Sequence, residues 1–223
     1  MNKKTLRELS AADKWMAKLI KDVGPFTLKP DFKLHPYHAL IESVVYQQLT
    51  GKAAATIFAR VKALFPNKKI PKPELILKTP DEKFRSAGLS GAKTAAIKDI
   101  AQKTLDGIVP SSKMIEKMHE TEILERLTQI RGVGPWTVEM LLIFKLGRPD
   151  ILPSTDYGVR KGFSIVYKKK DLPKPKDLHA FGERWKPHRT TAAWYLWRAI
   201  DLEKAKIKQP TKKPAVKKLA KKK

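Results

Sequence analysis

Apolar residues recur every three or four positions along most of this chain, and this helical spacing constrains its fold more than any other feature. Between Gly51 and Pro66, for example, six apolar residues follow that spacing and would bury one face of a helix until the proline interrupts it. Strand-like alternation of apolar and polar residues is scarce. We therefore predict an all-α protein with one helical domain over residues 1–203.

Capping residues and helix breakers mark where individual helices start and stop. Ser10 and Asp13 are typical of a helix start, and Gly24-Pro25 would end that helix. Pro36 would open a second helix, which we extend to about Gln48. Further helices are predicted from Thr79-Pro80 to Gly88, over Ser90–Leu105, Thr121–Ile130 and Trp136–Lys145, and from Asp156, about Asp177 and about Arg189 to Leu202.

The formal net charge is +25, which is more than solubility requires and points to a polyanionic partner. Nucleic acid and an anionic membrane surface both fit this charge. Ten of the lysines lie between Lys204 and Lys223, which leaves a net charge of +15 for the rest of the chain. We predict a disordered Lys-rich tail over residues 204–223. No stretch approaches the roughly 20 apolar residues of a membrane span and no signal peptide is evident, so we expect an intracellular protein.

The chain contains no cysteine, which excludes disulfides, Cys-ligated zinc and iron–sulfur clusters. Its five histidines show no metal-binding spacing such as His-Glu-x-x-His, so we interpret them as surface or packing residues and expect no zinc. The chemistry must come from other groups.

Two predicted helices meet at the turn Gly132-Val133-Gly134, in a hairpin over about residues 121–146. Glycines spaced by one residue permit a sharp bend and the close approach of another backbone, because neither carries a Cβ. The helix that follows offers unpaired N–H groups and a positive dipole end to a phosphate oxygen. This arrangement indicates a site that binds DNA phosphate without regard to base sequence, at Gly132, Gly134 and Trp136. A lone Gly-x-Gly is more often part of an ordinary helical hairpin.

About twenty residues after Gly134 comes a second motif, Ile151-Leu-Pro-Ser-Thr-Asp-Tyr-Gly-Val-Arg-Lys161. Together with the hairpin it resembles the helix-hairpin-helix (HhH-GPD) DNA glycosylase superfamily. The resemblance extends to residues 37–50, 87–94 and 185–197, and it covers roughly residues 30–202. Within the superfamily the chain looks most like the 3-methyladenine DNA glycosylase II type, in a short form without the N-terminal sheet domain. The resemblance implies two helical subdomains flanking a base-flipping cleft, and an enzyme that removes alkylated bases from duplex DNA.

Asp156 is the catalytic candidate. It precedes a predicted helix, and by itself it indicates an ordinary N-cap. In the resemblance it falls on the superfamily's catalytic aspartate, and the two roles can coexist because a helix N-terminus favours a carboxylate anion. As the bond between deoxyribose C1′ and the base breaks, the sugar becomes oxocarbenium-like. A nearby carboxylate stabilises that charge or orients the water that traps it.

The resemblance also implies a base pocket, because Trp136 and Trp197 match pocket tryptophans of the alkylbase type. A flipped, cationic alkylated purine would gain about 0.5 to 2 kcal/mol from electron-rich ring faces. Met140 lies one helical turn beyond Trp136 and could line the same pocket, although a methionine at this spacing is more often part of a core. Strand-nicking relatives place a nucleophilic lysine where this chain has Trp136, so we expect a monofunctional enzyme that uses water.

Gln48 falls where relatives insert a side chain, the wedge, into the gap left by the flipped nucleotide. An interpretation of Gln48 as a buried glutamine at the end of a helix fits the sequence equally well. Gln47 and Leu49 are the neighbours with which this wedge could be confused. The family often holds a monovalent cation, Na⁺ or K⁺, on hairpin carbonyls, and we expect no other cofactor. In this chain the carbonyls would be those of Thr128, Ile130 and Val133.

Two other functions stay open. A noncatalytic helix-hairpin-helix module would bind DNA in a salt-sensitive way without releasing a base. A glycosylase of the same fold for oxidised, deaminated or mismatched bases is disfavoured by Trp136 and by the missing cysteines, but the shape of the pocket decides the substrate. The preferred lesion does not follow from the sequence. An anionic membrane surface explains the charge but none of these motifs, so we expect no membrane partner. We expect a monomer acting on damaged double-stranded DNA, located in the cytoplasm with the nucleoid or in the nucleus of a eukaryote.

Overall fold

The computed structural model describes residues 3–32 and 35–208, which form thirteen α-helices, two short 3-10 helices and no strand. The all-α prediction is confirmed. The 3-10 helices span Pro66–Lys68 and Glu183–Trp185. The α-helices, in chain order, are α1 (Lys3–Ala12), α2 (Lys14–Val23), α3 (Pro36–Tyr46), α4 (Gly51–Ala63), α5 (Pro73–Lys78), α6 (Asp81–Ser86), α7 (Gly91–Leu105), α8 (Ser112–Ile115), α9 (Glu120–Leu127), α10 (Pro135–Phe144), α11 (Tyr157–Val166), α12 (Pro175–Gly182) and α13 (Arg189–Lys208).

Helix starts follow the capping residues of the sequence in most places. The Asp13 carboxylate accepts from the N–H groups of Trp15 and Met16 at 2.7 and 2.9 Å and so begins α2. The Ser90 hydroxyl accepts from the N–H of Lys93 at 3.3 Å and begins α7. Ser10, in contrast, lies inside α1, a separate helix that the sequence did not predict. Only Leu9 of α1 is buried, so the apolar pattern of this segment is too weak to predict a helix.

The helix that opens at Pro36 ends before Gln48. It ends at Tyr46, and the N–H of Gln47 closes it on the carbonyls of Ser43 and Val44. The predicted extension to Gln48 was therefore wrong. Gln48 has a φ of +54°, which no α-helix accommodates.

Two hydrophobic cores hold the molecule together. The first is built by α3 to α10, with residues such as Leu40, Ile97 and Leu141 at its centre. The second joins the N-terminal helices α1 and α2 to the C-terminal helices α11 to α13. Trp197 packs against both cores. The predicted pair of helical subdomains corresponds to these two cores, and the boundary between them runs past Trp197.

Helices α11 and α13 approach each other unusually closely. A Cβ on Gly162 of α11 would lie 2.0 Å from the carbonyl oxygen of Leu196 on α13, so only glycine fits at this contact. The contact matters for the site, because α11 begins at Asp156 and α13 carries Trp197.

At the C-terminus, α13 continues to Lys208, past residue 204 where the predicted tail begins. The remainder of the predicted tail, residues 209–223, lies outside the described residues. Within the described part of the chain, no helix combines the length and the apolar character needed to cross a bilayer.

Candidate active site

The Asp156 carboxylate lies at the centre of a converging set of hydrogen-bond donors. Its Oδ1 accepts from the N–H of Val159 at 2.8 Å, which makes Asp156 the N-cap of α11. The same oxygen accepts from Trp197 Nε1 at 2.8 Å, and Oδ2 accepts from Trp136 Nε1 at 2.9 Å. The carboxylate therefore both begins a helix and binds two indoles from different helices.

Gly158, in the first turn of α11, makes this arrangement possible. A Cβ at this position would lie 2.8 Å from Trp197 Cδ1 and 3.0 Å from Asp156 Oδ1. Sequence reasoning missed this residue, although a glycine two positions after a capping aspartate was the available signal. Its lack of a side chain lets the Trp197 indole reach the carboxylate.

The two tryptophans differ in how they are held. Trp197 is partly buried and stacks on Phe144 at the end of α10, with ring centroids 5.7 Å apart and an interplanar angle of 26°. Trp136 stands in the first turn of α10 with 39% of its surface exposed. Met140, one turn further along α10, is partly buried and packs against the first core. One indole is thus fixed by packing, while the other is open to solvent beside the carboxylate.

Glu139, which sequence reasoning also missed, is the second acid at this site. It is partly buried on α10, and its Oε2 has no hydrogen-bond partner among the described residues. Burial, with a smaller contribution from the negative charge of Asp156, raises the pKa of Glu139 to about 7. The signal in the sequence was a single acid within the otherwise apolar run that follows Trp136.

The glycines of the hairpin turn have different roles. Gly132 has a φ of +77°, and a Cβ there would lie 2.9 Å from the Cβ of Ala96 on α7. Gly134 has an ordinary φ of −93°, and a Cβ there would meet nothing within 4 Å. The bend therefore depends on the conformational freedom of Gly132 and not on that of Gly134. That glycine instead leaves an open surface at the start of α10, where the N–H groups of Gly134 and Trp136 have no acceptor among the described residues.

The segment between α3 and α4 carries the three wedge candidates. Gln48 is exposed, which contradicts the alternative of a buried glutamine, and Leu49 is 40% exposed. Gln47 is partly buried and turns its side chain towards the hairpin. The left-handed backbone of Gln48 costs a non-glycine residue roughly 1–2 kcal/mol, so neighbouring contacts must hold it in place.

The proposed cation ligands lie in the hairpin connection. Thr128 is the C-cap of α9, and the carbonyl of Ile130 accepts from the N–H of Val133 at 3.0 Å. Carbonyl oxygens of such turns are chemically suited to a hard monovalent cation. The part of the chain that the structure describes contains no cluster of three or more His, Cys, Asp or Glu side chains that could hold a metal.

Comparison with known proteins decides the family. Residues 41–188 match the family model of the HhH-GPD superfamily base excision DNA repair protein. This chain belongs to the HhH-GPD superfamily. DNA-3-methyladenine glycosylase 1 of Schizosaccharomyces pombe is 40% identical to it over 195 residues, which cover 87% of this chain and 86% of that protein.

Solved structures of two proteins with related names share its fold. The 3-methyladenine DNA glycosylase of Schizosaccharomyces pombe in complex with abasic DNA has a TM-score of 0.81 at 39% identity, covering 87% of this chain and 95% of that chain. The DNA-3-methyladenine glycosidase of Bacillus halodurans has a TM-score of 0.79 at 33% identity, covering 90% and 91%. The predicted superfamily, the likeness to short 3-methyladenine DNA glycosylases and the role in base excision repair are confirmed.

Proposed function

We propose that this HhH-GPD protein is a monofunctional glycosylase that removes alkylated bases from duplex DNA, with Asp156 as its catalytic residue. The convergence of two indole N–H groups on the Asp156 carboxylate carries the proposal. The negative charge of Asp156 and the exposed ring of Trp136 beside it both favour a cationic ligand. An alkylated purine that is positively charged, and the oxocarbenium-like sugar attached to it, both meet that requirement.

The reaction follows from this geometry. The hairpin amides of Gly134 and Trp136 bind a phosphate, and the target nucleotide leaves the stack. The C1′–N bond breaks, its electron pair neutralises the cationic base, and Asp156 stabilises the positive sugar. Water adds at C1′ and loses a proton, which yields an abasic sugar and a free neutral base. The base departs without an acid, because its alkyl group already supplies the positive charge.

The residue at position 136 determines what happens after base release. A lyase step needs an amine that attacks C1′ and forms a Schiff base with the opened sugar. At the position where strand-nicking relatives carry that lysine, this chain has an indole that donates to Asp156. We therefore propose that the abasic site leaves the enzyme with its strand intact.

We further propose that the protein acts as a monomer on chromosomal DNA inside the cell.

We also propose a cation site in the hairpin. A monovalent cation on the carbonyls of Thr128, Ile130 and Val133 would add positive charge beside the phosphate-binding amides. Affinity for duplex DNA at constant ionic strength should then fall when K⁺ is replaced by tetramethylammonium, which is too large for such a turn. An unchanged affinity would rule out the cation.

The deciding experiment measures free base released from methylated duplex DNA by the wild type and by Asp156→Asn. Asparagine is an equally good N-cap, so α11 should keep its start while the negative charge is lost. We expect base release to slow by roughly 10²-fold or more, since removal of one group that stabilises the transition state costs that much. Asp177→Asn, which neutralises an exposed acid in the first turn of α12, is the matched control and should keep the wild-type rate.

Each alternative gives a distinct result. Binding of the methylated duplex without base release by the wild type would contradict the alkylbase function. Release of a base from oxidised, deaminated or mismatched duplexes would then favour the glycosylase of the same fold, and no release from any of them would favour a noncatalytic DNA-binding module. Strand breaks that appear without alkali would contradict the monofunctional mechanism. Full activity of Asp156→Asn would remove Asp156 from the chemistry.

A further inference from the structure

The segment that carries the wedge candidates, residues 46–50, is attached to the rest of the molecule from two sides. On the first side is Lys93, in the first turn of α7. Its Nζ donates to the carbonyl of Val45 at 2.7 Å and to the carbonyl of Gln47 at 2.7 Å. These carbonyls belong to the last turn of α3 and its C-cap, where helical partners run out and the negative end of the helix dipole lies. Lys93 therefore satisfies carbonyls at the end of α3, including that of Gln47, the residue directly before the exposed Gln48.

Lys93 is not a lysine that reaches freely into solvent. It is partly buried, and this desolvation lowers the pKa of its ammonium group below the ordinary value. Two of its three donors point inward at backbone carbonyls. A lysine used only for phosphate attraction would keep its ammonium group hydrated at the surface. Lys93 instead contributes charge and hydrogen bonds to the fixed shape of the segment.

The second attachment leads to the hairpin. The side-chain Nε2 of Gln47 donates to the carbonyl of Gly132 at 3.0 Å and to Thr137 Oγ1 at 3.1 Å. Gly132 is in the hairpin turn, and Thr137 lies in the first turn of α10, directly after Trp136. One side chain thus joins the wedge segment to the element that presents free amides to a phosphate.

We propose that Lys93 and Gln47 are positioning residues that fix the exposed Gln48 and Leu49 relative to the phosphate-binding hairpin. When the hairpin amides bind a phosphate, the contacts of Lys93 and Gln47 place the side chains of Gln48 and Leu49 at the gap that the extruded nucleotide leaves. The inference rests on the proposed base-flipping function. It assigns to Lys93 and Gln47 a part in insertion, and none in general DNA affinity or in breaking the C1′–N bond.

The test measures insertion directly, with a duplex that carries 2-aminopurine opposite a tetrahydrofuran abasic-site analogue. A side chain that enters the gap alters the stacking of 2-aminopurine and hence its fluorescence. Anisotropy of an end-labelled duplex gives the affinity in parallel, for the abasic duplex and for an undamaged one. The variants are Lys93→Met, which keeps the stem and loses the donors, Lys93→Arg, which keeps donors, and Gln47→Leu, which keeps the size and loses the amide.

Lys98→Met is the matched control. Lys98 lies on the same helix and its ammonium pairs with Asp81, so this variant loses the same charge from α7 without touching the wedge segment. We expect Lys93→Met and Gln47→Leu to lower the equilibrium constant for insertion by roughly tenfold, as loss of charged or paired hydrogen bonds implies, and so to reduce the fluorescence change at saturation. Affinity for undamaged duplex should stay within about twofold of wild type for all variants. Lys93→Arg should restore part of the signal, and Lys98→Met should match the wild type.

Three results would overturn the inference. One is a wild-type fluorescence change in Lys93→Met and Gln47→Leu. Another is an equal loss of affinity for abasic and undamaged duplexes with an unchanged signal at saturation. The third is a wild-type protein that gives no fluorescence change, because nothing would then be inserted.

Two features of the design keep the inference falsifiable and separate from the proposed function. If Lys93→Met fails to fold, Gln47→Leu, on a partly exposed side chain, carries the test alone. Absence of base release from methylated DNA would refute the glycosylase mechanism instead, and that assay is independent of this one.

Discussion

Replacing Glu139 with glutamine should stabilise the protein at alkaline pH and change its stability much less at pH 5. Burial raises the pKa of Glu139 from 4.5 to about 7, and the charge of Asp156 adds to this effect. The folded state therefore holds the carboxyl proton more tightly than the unfolded chain does. The stability that this proton contributes is fully present below pH 4.5 and is lost as the pH rises through about 7.

The size of the effect follows from the two pKa values. Their difference corresponds to roughly 3 kcal/mol of unfolding free energy that the wild type has lost once Glu139 is ionised in both states. At pH 5 the unfolded carboxyl is already partly ionised, so somewhat under 1 kcal/mol of this loss is present there. Glutamine does not titrate. We expect the gain in stability of Glu139→Gln at pH 8.5 to exceed its gain at pH 5 by about 2 kcal/mol, allowing for relaxation around the charge.

Urea unfolding at pH 5 and pH 8.5, followed by far-ultraviolet circular dichroism, measures both values. Glu125→Gln, at an exposed acid on α9, controls for the general effect of removing one negative charge from a highly basic protein. An identical free-energy change for Glu139→Gln at the two pH values would refute the reasoning. So would a destabilisation that grows with pH, since it would mean that the ionised carboxylate finds a partner in the folded state.

Alanine at each hairpin glycine should affect a different property, folding at Gly132 and DNA binding at Gly134. Gly132→Ala puts a Cβ on a residue with left-handed backbone and against Ala96, and it should lower the unfolding free energy by about 1–2 kcal/mol or more. Gly134→Ala should leave thermal stability unchanged, because a Cβ there meets nothing within 4 Å. It should weaken binding to undamaged duplex, measured by anisotropy, because the new methyl would occupy the proposed phosphate-binding surface; equal stability losses in the two variants would contradict this division. Gly162→Ala should destabilise by more than about 3 kcal/mol, because its Cβ would overlap the Leu196 carbonyl and drive α11 from α13. A thermal melt like that of the wild type would show that the two helices can separate at little cost.

The parts of the site that depend on nearby residues were predictable from the sequence. Asp156 stands directly before its helix, so its capping role follows from local chemistry. The turn at Gly132 is likewise local, since the positive φ and the helix starting at Pro135 lie within four residues. The family resemblance added the proposed catalytic role of Asp156 and the proposed pocket role of the two tryptophans, which spacing alone does not give.

The parts that depend on distant residues were not predictable. Gly162 looks like an ordinary helix-weakening glycine until Leu196 is placed against it. Glu139 is recognisable as an isolated acid in an apolar run, but its shifted pKa comes from burial and from Asp156, seventeen positions away in the chain. The contacts of Gln47 with the hairpin join residues about ninety positions apart. No local pattern contains the information that brings such groups together.

The two indole donors that hold the Asp156 carboxylate, here called the clamp, come from different halves of the molecule, and this has a consequence for incompletely folded chains. Trp136 reaches the carboxylate from α10 of the first core, whereas Trp197 reaches it from α13 of the second. A chain in which only one half has folded cannot assemble both sides of the clamp. With Asp156 as the proposed catalytic residue, base excision would require both halves to be folded and packed together. An incompletely folded molecule that still binds DNA through its positive charge would then not excise bases.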